Sequence, residues 1–179
     1  ANARMHRSDL AGASEALASV RALPPLREVV GETFWGDPQQ RLQICGAANI
    51  GYFVESHLVS LCFMSFLQSG VLTPAMPEEC RIGIEDQDDE RYLLGVIGAL
   101  REIERYAVNR GQRLDLTSIR RCLETARCLE QALMQFDFRN SELRRRFDGV
   151  KYAVRKLENL AYEVDLALQR AAAAGAPAE

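Results

Sequence analysis

The sequence predicts an all-α protein in which about five to seven helices form a single antiparallel bundle. No proline lies between Pro77 and Pro177, and strand or hairpin signals are absent. Apolar residues of the C-terminal half recur at spacings of three and four, which is typical of helices with one buried face. A length of 179 residues with 47% hydrophobic residues suits one domain. We therefore expect a single domain over 1–179, frayed at 1–7 and 171–179.

The N-terminal half is expected to contain a helix over residues 8–23, a shorter helix over 25–33, and a buried helix within the apolar stretch 42–77. This stretch has one formal charge, Glu55. Its purely apolar part, residues 58–67, has about half of the roughly 20 residues that a bilayer span requires. We therefore expect a buried helix and no membrane partner.

The C-terminal half is expected to begin with a loop over 73–90, which contains two prolines and an acidic run. A helix over 91–109 should follow, and then one from near Thr117 to near Phe136, capped by Asp115 or Thr117. The last helix should start after Asn140 or Ser141. Its apolar residues alternate spacings of four and three: Leu143, Phe147, Val150, Val154, Leu157, Ala161, Val164 and Leu168.

Positive charge is concentrated in this last helix, although the net charge of the chain is −3. Arg144, Lys151 and Arg155 share one stripe beside the apolar face, whereas Arg145 and Lys156 lie on the far side. Such a stripe is suited to binding phosphates along a nucleic acid. The alternative is a solvated basic face that pairs with neighbouring acids.

The carboxylates and thiols indicate a functional site less strongly than the basic stripe does. Glu55 is costly to bury alone, so it should have an ion-pair partner, a metal, or a water-filled cavity, and an ion pair is the commoner case. Glu102 and Arg105 are spaced as a surface pair. The five cysteines form no CxxC motif and only two histidines exist, so we expect reduced thiols rather than zinc or disulfides. Common hydrolase motifs are absent from the sequence.

Two motifs resemble the translin/TRAX family. The stretch FRNSELRRRFDGVKYAVRKLENLAYEVDL, from Phe138 to Leu166, is similar to the C-terminal translin signature. Tyr92-Leu-Leu-Gly-Val, followed by Glu102-Ile and Ala107-Val-Asn, is similar to the family's Tyr-Leu-x-Gly-Val helix. The two matches agree in order and spacing.

The resemblance implies a seven-helix fold of the translin type and a hollow, octamer-like assembly, of translin alone or mixed with TRAX, around single-stranded nucleic acid. In that complex TRAX is the RNase that clears passenger strands and trims tRNA fragments, with four acids binding a divalent cation. These four positions fall here on Tyr52, Glu55, Gly98 and Glu102, so two of the acids are replaced. The resemblance therefore favours the translin role.

The leading hypothesis is a scaffold subunit of a translin-type or translin–TRAX oligomer that binds single-stranded RNA or DNA during processing of small RNAs or tRNA fragments. The alternatives are a metal-dependent endoribonuclease using Glu55 and Glu102, or a purely structural helical partner of TRAX. We expect no required cofactor beyond, at most, a weakly bound Mg²⁺. The expected partners are the nucleic acid, a TRAX-like subunit and copies of the chain itself, in the cytoplasm and also the nucleus.

Overall fold

The computed structural model describes residues 1–22, 28, 31, 35–47, 50–72, 76, 77, 80, 81, 85–138 and 141–174, and every regular element among them is a helix. In these residues we find no strand, which confirms the all-α prediction. Seven helices occur there, and they are α1 (Asn2–His6), α2 (Leu10–Arg21), α3 (Pro38–Ala47), α4 (Ile50–Ser69), α5 (Glu85–Gly111), α6 (Leu116–Leu133) and α7 (Glu142–Ala174).

The helices fall into two compact units, residues 1–99 and residues 100–179, and the boundary lies within α5. The single domain over 1–179 stays a prediction.

In the first unit, Asp9 determines where α2 begins. Its carboxylate accepts a hydrogen bond of 2.9 Å from the backbone N–H of Gly12, so the predicted helix 8–23 starts at Leu10. The Arg4 guanidinium donates to the carbonyl oxygen of Gly12 at 2.9 Å, and Met5 is fully buried. A buried side chain and a hydrogen bond thus hold α1 against its surroundings, and the fraying of residues 1–7 and 171–179 stays a prediction.

Helix α4 lies within the predicted stretch 42–77 and is buried over only part of its length. Its 20 residues are long and apolar enough to cross a membrane, although the core helix of a soluble protein passes the same test. Its first turns remain exposed at Tyr52 and Phe53. The buried side chains all lie from its ninth residue onward, and they are Leu58, Leu61, Cys62, Phe63, Met64 and Phe66.

Two glycines of α5 allow it to approach α4 closely. A Cβ added at Gly95 would lie 2.6 Å from the Cβ of Leu58, and one at Gly98 would lie 2.7 Å from Cγ2 of Val59. Both distances are shorter than carbon atoms tolerate, so only glycine fits at either position in the observed packing.

Helix α5 begins at Glu85, earlier than predicted, because part of the acidic run expected in the loop 73–90 forms its first turns. Acidic residues stabilise a helix N-terminus through the helix dipole, so this run favours a helix start. Most of the short helix predicted over 25–33 lies outside the described residues.

In the second unit, α6 and α7 run antiparallel, as their ion pairs show. Arg127 bonds Glu158 at 2.6 Å, and Arg120 lies 3.7 Å from Asp165. Helix α6 starts after Asp115, as predicted, but ends at Leu133 rather than near Phe136. The buried face of α7 consists of Leu143, Phe147, Val150, Ala153, Val154, Leu157 and Val164. This face confirms most of the predicted apolar seam.

Candidate functional site

The exposed side of α7 carries the predicted basic stripe. Arg144, Lys151 and Arg155 are all solvent-exposed. Arg144 lies 3.6 Å from Asp148, in a half-exposed pair of the kind that contributes little binding energy. Lys151 and Arg155 have no acidic partner among the residues that the structure describes. The stripe therefore keeps most of its positive charge available to a ligand.

Aromatic rings lie directly beside the first two cations of this stripe. The Arg144 guanidinium and the Lys151 ammonium lie 5.9 and 5.6 Å from the centroid of the Phe147 ring. Phe138 lies 5.6 Å from Phe147, and Phe136 stacks on Phe138 at 5.6 Å with an interplanar angle of 19°. Phe136 is 55% exposed. A row of rings thus runs from the core to the surface next to two cations.

Two exposed tyrosines extend the aromatic character along α7. Tyr162 is 69% exposed, and it follows Arg155 by seven residues, or about two helical turns, so the two share one face. Tyr152 adjoins Lys151 and is 64% exposed. The sequence patterns did not indicate a functional role for these rings. Tyr162 could have been found from its spacing of seven residues from Arg155. Phe136 and Phe138 could not, because they lie between helices, where no periodicity marks them.

The two remaining predicted cations occupy other surroundings. The Lys156 ammonium lies 3.8 Å from a carboxylate oxygen of Glu104, so part of its charge is offset within the unit. Arg145 lines a cavity of about 500 Å³ together with Arg101, Glu142, Arg146 and Gly149. The five predicted binding residues therefore comprise three stripe members, one paired lysine and one cavity arginine.

Of the four positions at which the resemblance places metal-binding acids, the structure brings 55 and 98 close together. Glu55 is half-buried on α4, and a Cβ at position 98 would lie 4.0 Å from its Oε1 atom. An acidic side chain at 98 would therefore point toward Glu55, but Gly98 supplies no ligand. Tyr52, one turn before Glu55, is exposed and packs edge-on against Phe53, with ring centroids 6.1 Å apart.

Glu102 forms the pair that its spacing predicted. Its carboxylate lies 3.4 Å from the Arg105 guanidinium, and its side chain is mostly buried. Glu55 belongs to the first unit and Glu102 to the second. Within the described part of the chain, no group of three or more histidine, cysteine, aspartate or glutamate side chains is placed to hold a metal ion.

The fold and this surface together define an all-helical protein with a basic, aromatic-bearing face on its longest helix. The Translin family model matches residues 48–167, which is more than half of the chain. The chain belongs to the translin family.

Curated relatives agree with this membership. The chain is 31% identical to Translin from Gallus gallus over 136 residues, covering 71% of this chain and 59% of the chicken protein. It is 30% identical to Translin from Bos taurus and 29% identical to Translin from Homo sapiens, each over 122 residues, covering 64% of this chain and 54% of the relative. The chain thus spans somewhat more than half the length of these relatives.

Proposed function

We propose that this chain binds single-stranded nucleic acid along the exposed face of α7. The observation that carries the proposal is the position of Arg144 and Lys151 beside the ring of Phe147, which contacts Phe138 and, through it, exposed Phe136. Proteins that bind single strands combine cations that follow the phosphates with aromatic rings on which bases stack. Arg155 and Tyr162 continue the same combination along the helix.

Single strands are favoured over duplexes because stacking on a protein ring requires an unpaired base. In a duplex, the two faces of each base are already stacked on neighbouring bases. A stripe of cations without exposed rings would serve either form, whereas Phe136 and Tyr162 offer ring surface that only an unstacked base can use.

The first test replaces Arg144, Lys151 and Arg155 by glutamine and measures binding of a fluorescent single-stranded RNA over a range of salt concentrations. Each lost phosphate contact should lower the slope of log K against log salt by about 0.7, so three contacts should lower it by about two. Affinity at low salt should fall as well.

The matched control removes three other exposed arginines by replacing Arg7, Arg113 and Arg170 with glutamine. This variant has the same net charge as the first, so a non-specific charge effect would weaken both equally. Circular dichroism verifies that both are folded. Equal affinity and slope in the two variants would show that the stripe only solvates the surface.

We further propose that the chain acts as a scaffold subunit of a translin-type assembly, with copies of itself or with a TRAX-like partner, in processing small RNAs or tRNA fragments. Membership of the translin family supports this role. The glycine at position 98 also supports it, because this position lies close to Glu55 and supplies no carboxylate.

The second candidate function is a metal-dependent endoribonuclease, and the approach of position 98 to Glu55 is the observation in its favour. A hard cation such as Mg²⁺ requires several oxygen ligands in octahedral geometry. Two carboxylates, Glu55 and Glu102, would leave the metal held mainly by water. We therefore expect the unaltered chain to show no Mg²⁺-dependent cleavage of single-stranded RNA.

The experiment restores the missing acids with Tyr52→Glu and Gly98→Asp. It must include Val59→Ala, because a Cβ at position 98 would lie only 2.7 Å from Cγ2 of Val59. The triple variant should gain weak cleavage that a chelator abolishes, and adding Glu55→Gln should remove it. Chelator-sensitive cleavage by the unaltered chain, lost in Glu55→Gln, would instead establish the ribonuclease.

A further inference from the structure

A cavity of about 500 Å³ in the second unit is lined by Arg101 of α5 and by Glu142, Arg145, Arg146 and Gly149 of α7. It is open to solvent, and its volume is ample for a phosphate group. Its lining contains no aromatic or aliphatic side chain. Such a cavity offers charge and hydrogen-bond donors but no surface for stacking a base.

The charges around this cavity do not cancel. Two guanidinium nitrogens of Arg146, Nη2 and Nε, donate to Oε1 of Glu142 at 2.9 and 3.3 Å, so this pair is close to neutral. Arg101 and Arg145 are exposed and have no acidic partner among the described residues. The lining therefore has a formal excess of two positive charges, one from each of these arginines.

This excess matches one chemical group of a nucleic acid better than the others. A phosphodiester carries a single negative charge, whereas a terminal phosphate monoester carries about 1.5 to 2 at neutral pH. Guanidinium groups bind phosphate oxygens through paired N–H donors, and two of them can hold a dianion from two sides. The open space at Gly149, where an added Cβ would meet no atom within 4 Å, leaves room for the group to enter.

We infer that this cavity binds the terminal phosphate monoester of a single strand, with Arg101 and Arg145 as its ligands. The Arg146–Glu142 pair forms a neutral, hydrogen-bonded wall beside them. The inference rests on the proposed function. The stripe would bind the phosphates along the strand, and the cavity would bind the phosphate at its end. It also explains why Arg145 faces away from Arg144, Lys151 and Arg155.

The test uses one RNA sequence in three forms: with a 5′-phosphate, with a 3′-phosphate, and with neither. Fluorescence anisotropy gives a Kd for each form. One phosphorylated form should bind about tenfold more tightly than the unphosphorylated strand, and the form that does so identifies which end is bound. Inorganic phosphate, added at matched ionic strength, should reduce this ratio by competing for the cavity.

Two variants test whether the cavity causes the tighter binding of the phosphorylated strand. Replacing Arg101 and Arg145 by glutamine should bring the ratio of the two Kd values to about one, whereas Arg113→Gln with Arg170→Gln should leave it unchanged. The ratio is informative because a general loss of positive charge weakens both forms alike. Gly149→Leu keeps every charge, places a bulky side chain in the cavity, and should also reduce the preference.

The outcomes separate this inference from the proposed function. Equal binding of all three RNA forms would overturn the terminal-phosphate site and leave the stripe intact. A preference that survives in both the arginine variant and Gly149→Leu would overturn it too, because the phosphate would then bind elsewhere. Failure to bind any of the three strands would overturn both proposals.

Discussion

The cysteines of the described residues are free thiols that differ in their exposure. Cys62, Cys80 and Cys122 are buried, and Cys128 is exposed. Burial raises the pKa of the Cys122 thiol to about 12. At neutral pH this thiol is therefore protonated and serves as a small apolar group within the seam between α6 and α7. A buried thiol with a raised pKa is a poor nucleophile, because the thiolate is the reactive form.

Asp115 is the residue whose local role was predicted most directly from sequence. Its carboxylate accepts hydrogen bonds from the Ser118 hydroxyl at 2.7 Å and from the Ser118 backbone N–H at 3.0 Å. These two bonds, with a smaller contribution from the charge of Arg110, lower the pKa of Asp115 below its ordinary value of 3.8. A lowered pKa means that folding stabilises the ionised form.

We expect Asp115→Ala to lower the free energy of unfolding by about 1 kcal/mol at pH 7, the usual cost of losing a helix N-cap. The ionised cap stabilises the fold fully above pH 3.8, and its contribution is lost as the pH falls through the lowered pKa of the folded state. The stability difference between the two proteins should therefore shrink in strong acid. Urea unfolding at pH 7 and at successively lower pH measures it.

Two controls separate the cap from the charge. Asp115→Asn keeps a capping oxygen and removes the charge, so it should lose less stability than the alanine variant at pH 7. Glu124→Ala removes an exposed acid from the middle of α6 and should have little effect. An alanine variant as stable as the unaltered chain at pH 7 would contradict the capping role.

At the scale of the helix, the contact between α4 and α5 depends on the absence of a side chain at Gly95. This glycine belongs to the Tyr92-Leu-Leu-Gly-Val motif, and its closeness to α4 explains why the motif has glycine at this position. A Cβ at position 95 would lie 2.6 Å from the Cβ of Leu58, an atom held by the α4 backbone rather than by a flexible side-chain end. Neither helix can relieve such a contact without moving.

We therefore expect Gly95→Ala to destabilise the chain by about 1–3 kcal/mol, the usual cost of overpacking, despite alanine's higher helix propensity. Gly149→Ala is the matched control, because an added Cβ at position 149 meets no atom within 4 Å. It should stabilise α7 by up to about 1 kcal/mol. Thermal unfolding of both variants checks the opposite signs, and a stabilised Gly95→Ala would show that the helices are not in close contact.

Sequence periodicity predicted features that lie within one helix, but it did not predict contacts between helices. The apolar seam of α7 and the cap of α6 follow from spacing and side-chain type alone, and both are observed. The approach of Leu58 to Gly95 and the contact of Phe138 with Phe147 depend on packing between separate segments, which no single-helix pattern encodes. Arg145 was predicted as a binding residue, but its place beside Arg101 in one cavity was not, since the two arginines are 44 residues apart.

The chain as a whole spans 54–59% of the length of the translin relatives described above. The matched region, residues 48–167, covers α4 in full from Ile50 and most of α7. The candidate stripe and the Gly95 contact both lie inside it. These features therefore fall in the part of the chain that defines family membership.

At the scale of the whole molecule, we expect the chain to associate with copies of itself. Tyr52 and Phe53 are 69% and 66% exposed on α4, the most apolar helix of the chain. Aromatic side chains in an interface bury roughly 150–250 Å² each and often dominate its binding energy. Mass measurement of the purified chain at micromolar concentration should therefore give a multiple of 20.0 kDa.

Replacing Tyr52 and Phe53 by serine should shift this mass toward that of the single chain, because serine removes the apolar area that association would bury. The matched control replaces Tyr152 and Tyr162 by serine, since these rings are similarly exposed but lie on α7. It should leave the mass unchanged while weakening RNA binding. Adding a TRAX-like partner to each variant then distinguishes a mixed assembly from a homo-oligomer. A single 20.0 kDa species for the unaltered chain, with or without the partner, would rule out association through α4.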